Sequence, residues 1–146
     1  MIFKSILAPI DGSASSDAAI KLAVQLAKDD SAKLVFCHAV HIPRPAHDAG
    51  GFAREQIMEE ETTTAHQILE AARKKATDAG IDAKAVMVGS PVADAILDCA
   101  KEHGADLIVM GTHGHSAIRR AVLGSKTVEV IDRATVPVMV APHVHG

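Results

Sequence analysis

Residues 107–127 read LIVMGTHGHSAIRRAVLGSKT, a short apolar run that passes into a glycine-rich segment. The run Leu107–Met110 has the near-continuous apolar character of a buried strand in a parallel sheet that is covered on both faces. Four further strands are predicted on the same grounds, the last two from weaker runs: Phe3–Ile10, Lys33–Val40, Asp82–Val88 and Val136–Ala141. The chain is therefore predicted to form a five-stranded parallel sheet.

Helical periodicity fills intervals between these strands. A first apolar stripe has the spacing i, i+3, i+4 and i+7: Ile20, Ala23, Val24 and Ala27. A longer stripe follows, with the acidic run Glu59–Glu61 on its solvated side: Ile57, Ala65, Ile68, Leu69, Ala72 and Ala76. Alternating strands and helices predict a single-domain α/β fold of the Rossmann-like, doubly wound type, an open sheet with helices on both faces.

Glycine, proline and serine mark the expected ends of the helices. Gly80 follows the second helix and Gly104 the third, each where a left-handed residue is expected. Ser90 and Pro91 are predicted to open the third helix, with serine as the cap and proline as its first residue. The stretch HIPRPAHDAGGF at 41–52 is predicted to be a long, irregular and mobile loop.

The composition restricts the classes of partner. The 146 residues carry a formal net charge of −3, and only 2% are aromatic, so the basic field and stacking platforms of nucleic-acid-binding proteins are missing. No apolar run approaches the roughly 20 residues that span a bilayer, and the N-terminal run is too short for a signal peptide. Cys37 and Cys99 lie in apolar runs typical of buried thiols in a reducing compartment. We expect a cytoplasmic protein without nucleic-acid or membrane partners.

Three loops that leave strand carboxyl ends carry unusual chemistry: Pro9-Ile10-Asp11-Gly12-Ser13, Ala39-Val40-His41 and 110–116. In an open α/β sheet, ligands bind at this edge, where the strand order reverses. Gly111 and Gly114 lack a Cβ, so their backbone can adopt φ > 0 and approach a ligand closely. Gly124 precedes the last helix, whose first N–H groups, with the hydroxyls of Ser125 and Thr127, suit a polyanion. A turn explains any single glycine and a cap explains Ser125, but the spaced set favours a phosphate site.

The spacing Gly111-x2-Gly114-x9-Gly124-Ser125 matches the nucleotide-binding signature G-2x-G-9x-G-[S/T] of the universal stress protein family, in its ATP-binding class. The chain resembles this family over nearly its whole length, from ILAPIDGS through DLIVMGTHG to VPVMVAP. The resemblance implies one nucleotide-binding domain at 1–142, followed by a disordered tail at 143–146.

The family's site implies a role for each matching position. The positions that match the adenine and ribose end are Pro9, Ile10, Asp11, Ala39, Met110 and Gly111. The positions that match the triphosphate cradle are Gly114, His115, Gly124, Ser125, Lys126 and Thr127. Ala39 stands where Val is common, which implies a looser adenine wall. Lys126 also replaces a common Val, and it either adds a positive charge near the phosphates or points to water.

Other chemistries fit the sequence less well. GSKT at 124–127 lacks the leading glycine and the Gly-Lys junction of a Walker loop, and DGSASS at 11–16 departs from the SGGxDS-like loop of adenylating relatives. The nine histidines form no set with supporting acids or cysteines, so no metal site is predicted. His113 is expected to stabilise its loop or face the ribose, and Arg119 and Arg120 either reach phosphate or form a solvated surface.

The resemblance implies an ATP-binding regulatory protein of the stress response, with Mg²⁺ as an optional companion of the nucleotide. No catalytic residue is predicted, because no general base is placed and Asp11 would sit at the nucleoside end. The alternatives are a slow ATP hydrolase or nucleotidyl-transferring enzyme that uses His113 or His115, and a purely structural dimerisation module. The resemblance also implies a homodimer through the last strand, where Pro137 confines pairing to Val138–Ala141.

Overall fold

A five-stranded sheet is the centre of the computed structural model, which describes residues 2–40, 51–112 and 123–142. The strands within these residues are β1 (Ser5–Pro9), β2 (Lys33–Ala39), β3 (Ala83–Val88), β4 (Leu107–Gly111) and β5 (Val138–Ala141). The helices are α1 (Ala14–Asp30), α2 (Gly51–Asp78), α3 (Val92–Glu102) and α4 (Ser125–Arg133). All paired strands are parallel, in the order β3-β2-β1-β4-β5. The predicted α/β architecture is confirmed.

The strand β1 lies in the middle of the sheet, between β2 and β4. The chain moves outward from β1 through β2 to β3, and then returns to β4 on the other side of β1. Ile6 of β1 pairs with Leu34 of β2 and with Leu107 of β4. The strand order therefore reverses between β1 and β4, and the carboxyl ends of these two strands flank the crevice where ligands bind in such sheets.

The sheet separates two apolar layers, because successive side chains of a strand point to opposite faces. One layer packs Ile6, Leu34 and Phe36 against α1 and α2. The other packs Leu7 and Val35 against α3 and α4. Aliphatic side chains and alanine make up most of both layers, and such small side chains allow the helices to approach the sheet closely.

The two predicted helical stripes face the first of these layers. Every residue of the α1 stripe is buried: Ile20, Ala23, Val24 and Ala27. Four residues of the α2 stripe are also buried: Ala65, Leu69, Ala72 and Ala76. Ile57 and Ile68 are only partly buried. The period of 3.6 residues thus identified the core face of both helices.

The helix ends confirm two of the three predicted signals. Gly80 and Gly104 follow α2 and α3 with φ angles of +85° and +62°. The prediction for the start of α3 is wrong, because the helix begins at Val92 and Pro91 is its N-cap, with an extended ψ of 148°. The Pro91 carbonyl accepts the Ala95 N–H at 3.0 Å, which is the first hydrogen bond of the helical ladder and is typical of an N-cap. Ser90 therefore precedes the cap.

Element boundaries differ from the predicted runs by a few residues. β1 is shorter at both ends than Phe3–Ile10, and β5 starts at Val138, after the proline that cannot donate to the ladder. The predicted loop at 41–52 is wrong for its last two residues, because α2 begins at Gly51 and the length of this helix outweighs the modest helical cost of glycine. Residues 41–50 and 143–146 lie outside the described residues. No helix of the described ranges has the length and apolarity needed to cross a bilayer.

Candidate functional site

The loop between β1 and α1 is held by a short network of hydrogen bonds. Gly12 adopts φ +83°, a left-handed conformation that glycine takes without steric cost. The Ser13 N–H donates to Asp11 Oδ1 at 2.9 Å, and the Asp11 N–H donates to Ser16 Oγ at 3.1 Å. Ser13 is also the N-cap of α1, since its Oγ accepts the Ser16 N–H at 3.1 Å. The half-buried Asp11 carboxylate is thus fixed just past the carboxyl end of β1.

The end of β2 lies beside this loop. Ile10 is buried, and its N–H donates to the Cys37 carbonyl at 2.8 Å, so its side chain and its N–H are both engaged within the protein. The His38 ring lies with Nδ1 2.8 Å from the Ile10 carbonyl oxygen. Because a carbonyl oxygen only accepts, Nδ1 carries the proton and donates, and the lone pair of a neutral ring is on Nε2. Ala39, the last residue of β2, is half-buried.

The end of β4 contributes Met110 and Gly111 in different ways. Met110 is buried in the layer that faces α3 and α4, so its side chain belongs to the core. Gly111 packs against α1, and a Cβ built on it would lie 2.5 Å from Ser15 Oγ and 2.6 Å from the Ser15 carbonyl oxygen. The φ angle of Gly111 is not positive, unlike those of Gly12, Gly80 and Gly104. Glycine was expected at this position because the backbone would be left-handed near a ligand. The structure gives a different reason, since only a residue without a Cβ allows α1 to pack this closely on β4.

The first turn of α4 lies against the end of β4. The Gly124 N–H donates to the Thr112 carbonyl at 2.7 Å, so the chain that leaves at Thr112 returns to the same point. Thr127 is buried, and its hydroxyl donates to the Gly111 carbonyl at 3.2 Å. This hydroxyl was expected to bind a polyanion together with that of Ser125, but it is engaged within the protein. Ser125 and Lys126 are exposed.

The N-terminus of α4 has the features of an anion site. Gly124 is the N-cap, and no side chain of the described residues caps the helix. The N–H groups at the start of a helix have no partner within it and carry the positive end of the helix dipole. The exposed ammonium group of Lys126 adds a positive charge to this turn. An oxyanion placed at the helix start would satisfy amides that a capping side chain satisfies in other helices.

Ten of the twelve predicted site residues lie in the described part of the chain. They gather at the carboxyl edge of the sheet, around the ends of β1, β2 and β4 and the start of α4: Pro9, Ile10, Asp11, Ala39, Met110, Gly111, Gly124, Ser125, Lys126 and Thr127. Gly114 and His115 lie outside the described residues, as do His113, Arg119 and Arg120. Across the described ranges, no group of three His, Cys, Asp or Glu side chains is placed to hold a metal ion.

Several residues that build this edge have roles that were not predicted from the sequence. Ser15 Oγ lies 3.1 Å from Thr112 Oγ1, which links the first turn of α1 to the end of β4. Ser13 and Ser16 hold the loop around Asp11, and His38 holds Ile10. The cap at Ser13 follows a recognisable signal, a serine directly before a helical stripe. The contacts of Ser15 with Thr112 and of His38 with Ile10 join residues far apart in sequence, which no local pattern identifies.

Known proteins are similar to this chain over nearly its whole length. The model of the universal stress protein family matches residues 2–142. The universal stress protein YxiE of Bacillus subtilis is 32% identical, over 95% of this chain and 99% of that protein. A universal stress protein of Mycobacterium tuberculosis is 37% identical, over 94% of this chain and 95% of that protein.

Solved structures give the same result for the fold. The universal stress protein UspA from Lactobacillus plantarum is 26% identical, with a TM-score of 0.86, over 95% of this chain and 97% of that one. A universal stress protein solved in complex with cAMP is also 26% identical, with a TM-score of 0.71, over 97% and 98% of the two chains. The family match over nearly all of the sequence, together with relatives above 30% identity along almost their whole length, shows that this chain belongs to the universal stress protein family.

Proposed function

We propose that the chain binds an adenine nucleotide, ATP, at the carboxyl edge of the sheet and acts as a nucleotide-dependent regulatory protein of the stress response. The observation that carries this proposal is the first turn of α4, which no side chain of the described residues caps and which Thr127 and Gly124 attach to the end of β4. The relative solved with cAMP supports an adenine nucleotide as the ligand. The G-2x-G-9x-G-[S/T] spacing supports a ligand with several phosphates.

The phosphates would contact the N–H groups at the start of α4, because these amides and the helix dipole favour negative charge. The exposed hydroxyl of Ser125 and the ammonium group of Lys126 would add a hydrogen bond and a charge. The Thr127 hydroxyl would remain with the Gly111 carbonyl, so Thr127 would contribute its N–H. Gly114 and His115 are assigned to the same cradle by the family resemblance.

The nucleoside would lie between the ends of β1, β2 and β4. Asp11 is fixed there by the Ser13 N–H and Gly12, and its carboxylate would accept from the ribose or the adenine. Ala39 and Pro9 are half-buried at the ends of their strands, where backbone and small side chains form a wall. Met110 would contribute only its backbone, since its side chain lies in the core.

Mg²⁺ would be carried mainly by the nucleotide. This ion prefers carboxylate, phosphate and water oxygens in octahedral geometry. In the described ranges, Asp11 is the acid at this edge, and its Oδ1 already accepts the Ser13 N–H. We therefore infer that Mg²⁺, when present, is held by phosphate oxygens with Ser125 as the nearest hydroxyl, and supplies charge neutralisation.

We propose binding and not catalysis as the activity. Hydrolysis of ATP needs a group that orients or deprotonates water at the γ-phosphate. Asp11 belongs to the nucleoside end of the proposed pose, at the opposite side from the α4 turn. Turnover in a single-turnover assay is expected to be far below about 1 s⁻¹, the low edge of ordinary enzymes. A faster chemical step would favour the enzymatic alternative.

Calorimetric titration of the full chain with ATP, AMP and adenosine tests the binding proposal. Because the helix amides are proposed to contact phosphates, ATP should bind most tightly, with a dissociation constant on the order of micromolar. Adenosine, which lacks phosphates, should bind most weakly. Equal affinity for ATP and adenosine would contradict the phosphate assignment, and no binding of any of the three would contradict the proposal as a whole.

We also infer a homodimer through β5, a cytoplasmic location and a single domain over 1–142. β5 is an edge strand that pairs with β4 on one side within the described residues. Leu123, Val128 and Ile131, at and before α4, are large apolar residues with 37–40% of their surface exposed. An open strand edge and exposed apolar side chains both favour association with a second copy.

A further inference from the structure

His38 lies at the end of an apolar row on β2. Leu34, Phe36 and His38 alternate along the strand, and side chains two residues apart point to the same face of a sheet. Leu34 and Phe36 are buried on this face, against α1 and α2. His38 is half-buried where the strand reaches the carboxyl edge of the sheet. A polar ring in this position needs a hydrogen-bond partner, because burial of an unpaired polar group costs free energy.

The partner of the His38 ring is the backbone of the loop after β1. The Ile10 N–H continues the ladder between β1 and β2 by one bond, since it donates to the Cys37 carbonyl at 2.8 Å. The Ile10 carbonyl then accepts the N–H of His38 Nδ1 at 2.8 Å. The ladder therefore ends in a contact with a side chain, and both backbone groups of Ile10 are held by β2.

The peptide unit that joins Ile10 to Asp11 is held at both of its polar groups. The unit is planar, so its carbonyl and its N–H turn together. The carbonyl accepts the His38 N–H, and the Asp11 N–H donates to Ser16 Oγ at 3.1 Å. Ser16 is buried in the first turn of α1. Rotation of the unit, which would change the direction of the Asp11 side chain, would break both bonds.

The Asp11 carboxylate is held from the following side of the loop. Its Oδ1 accepts the Ser13 N–H at 2.9 Å, and Ser13 is the N-cap of α1. The first turn of α1 thus holds Asp11 through Ser13 and Ser16, whereas the contact from β2 comes from the His38 ring. Loss of the His38 donor would leave the peptide before Asp11 with its Ser16 contact and without this contact to β2.

We propose that His38 is a positioning residue for the nucleoside end of the site. Its Nδ1–H orients the peptide between Ile10 and Asp11, and through this peptide the Asp11 carboxylate that accepts from the ribose or the adenine. This inference rests on the proposed function and extends it to a residue that does not need to touch the ligand. Because the role is that of an N–H donor at one point, another side chain that presents an N–H there should replace the imidazole.

The phosphate end of the site is attached to a different strand. The first turn of α4 is bonded to the Gly111 and Thr112 carbonyls at the end of β4, on the other side of β1 from β2. Loss of the His38 contact should therefore lower the affinities for adenosine and for ATP by the same factor and leave their ratio unchanged. A general loss of packing at the sheet edge would change both ends of the site, and the ratio with them.

Calorimetric titrations of the full chain with adenosine and with ATP test this assignment. His38→Phe preserves a ring and removes the donor, so both affinities should fall about 10-fold, roughly the contribution of one hydrogen bond. His38→Asn places an amide nitrogen near the position of Nδ1 and should restore most of the affinity. His66→Phe, the same change on the exposed face of α2, is the matched control and should bind like the natural chain.

If the natural chain binds both ligands and His38→Phe binds them equally well, the role of His38 is refuted while the proposed function stands. The same conclusion follows if His38→Asn binds no better than His38→Phe. A fall in affinity for ATP alone would place the effect at the phosphates and would also overturn the assignment. Failure of the natural chain to bind either ligand would overturn the proposed function and this inference together.

Nitrogen NMR of the isotope-labelled natural chain gives a test that needs no variant to fold. At mildly alkaline pH, the His38 ring should carry its proton on Nδ1 and none on Nε2, before and after saturation with adenosine. The signal of the Asp11 amide should shift on saturation. A proton on Nε2 with a bare Nδ1 in either state, or an Asp11 amide that does not respond to adenosine, would overturn the positioning role.

Discussion

Gly111 touches α1 so closely that a Cβ on this residue would lie 2.5 Å from Ser15 Oγ. The contact joins the last residue of β4 to the first turn of α1, at the point where the strand order reverses. Nearby, Ser15 Oγ lies 3.1 Å from Thr112 Oγ1. The glycine of the family signature is thus also a packing residue.

Gly111→Ala should destabilise the fold. The added methyl group meets both backbone and side-chain atoms of Ser15, which cannot move without displacing α1. Overpacking of this kind costs about 1–3 kcal/mol in the free energy of unfolding, measured by urea denaturation. Gly89→Ala is the matched control, because its Cβ meets nothing within 4 Å and should change stability by less than about 0.5 kcal/mol. Equal stability of the two variants would contradict the packing role.

Thr127→Val should cost about 1–2 kcal/mol in the free energy of unfolding. The substitution preserves the shape of a buried side chain and removes the hydroxyl that donates to the Gly111 carbonyl. Thr127→Ser retains the hydroxyl and serves as the control for hydrogen bonding. If the valine variant were as stable as the natural chain in urea, the bond between α4 and β4 would contribute nothing.

Ser125→Ala should weaken ATP binding without a change in stability. Ser125 is exposed at the first position of α4 and does not cap the helix, so removal of its hydroxyl should leave the helix start unchanged. One lost hydrogen bond to phosphate corresponds to on the order of 1–2 kcal/mol, or roughly 5- to 30-fold in affinity. Calorimetry with ATP measures this change. An affinity equal to that of the unmodified chain would remove Ser125 from the proposed site.

Asp106 should make the free energy of unfolding depend on pH in the acidic range. Burial alone would raise the pKa of its carboxyl, but the N–H groups of Lys4 and Ser5 donate to it and lower the pKa below its usual value. A lowered folded-state pKa means that the stabilisation is present above the unfolded-state pKa and is lost as the pH falls through the folded-state pKa. Asp106→Asn should therefore be less stable than the natural chain at neutral pH.

The difference between Asp106→Asn and the natural chain should shrink as both are made acidic, below the usual carboxyl range. Urea midpoints measured from neutral to acidic pH give this comparison. The control is Glu55→Gln, which also replaces a carboxyl by an amide but at an exposed position of α2. Its stability should differ little from that of the natural chain at neutral and at acidic pH. A constant gap between Asp106→Asn and the natural chain at all pH values would refute the ionic origin of the effect.

Val140→Pro should weaken the proposed dimer and spare the monomer. Ile108 donates to the Pro137 carbonyl, and Ile108 pairs with Val138, so alternation along the parallel ladder directs the Val138 and Val140 N–H groups away from β4. Proline at 140 removes an outward donor, which edge strands tolerate. Sedimentation at a protein concentration on the order of tens of micromolar should give a dimer for the natural chain and a monomer for the variant.

A monomeric natural chain in that experiment would contradict the inferred dimer. Met139→Pro is the comparison variant, because the same alternation directs the Met139 N–H toward β4. This change should lower the stability of the monomer itself. If both variants dimerised like the natural chain, the surface for association would lie elsewhere on the molecule.

Local patterns in the sequence were sufficient to predict the sheet and the core faces of the two long helices. Leu107–Gly111 is a buried strand because its apolar run is continuous, and Ala23 and Ala72 are buried because they repeat with the helical period. The start of α3 was misplaced because Pro91 is acceptable both as an N-cap and as a first helical residue, and the two differ only in ψ. Sequence alone does not give that angle.

The site was predicted in outline, and its internal contacts were not. The loop after the first strand and the motif spacing located Asp11, Gly111 and Gly124 at one edge of the sheet. The contacts of Thr127 with Gly111 and of Ser15 with Thr112 join residues far apart in sequence, and they depend on how the helices pack on the sheet. Patterns of period two or 3.6 contain no information on such pairs.

The bond from the Thr127 hydroxyl to the Gly111 carbonyl has a mechanical consequence. Gly111 accepts the hydrogen bond from α4 and also packs against Ser15 of α1, so β4, α1 and α4 meet at this one residue. A ligand that draws the first turn of α4 toward itself pulls on Gly111, and that pull reaches α1 through Ser15. Binding at the start of α4 is therefore expected to act on α1, which packs on the opposite face of the sheet.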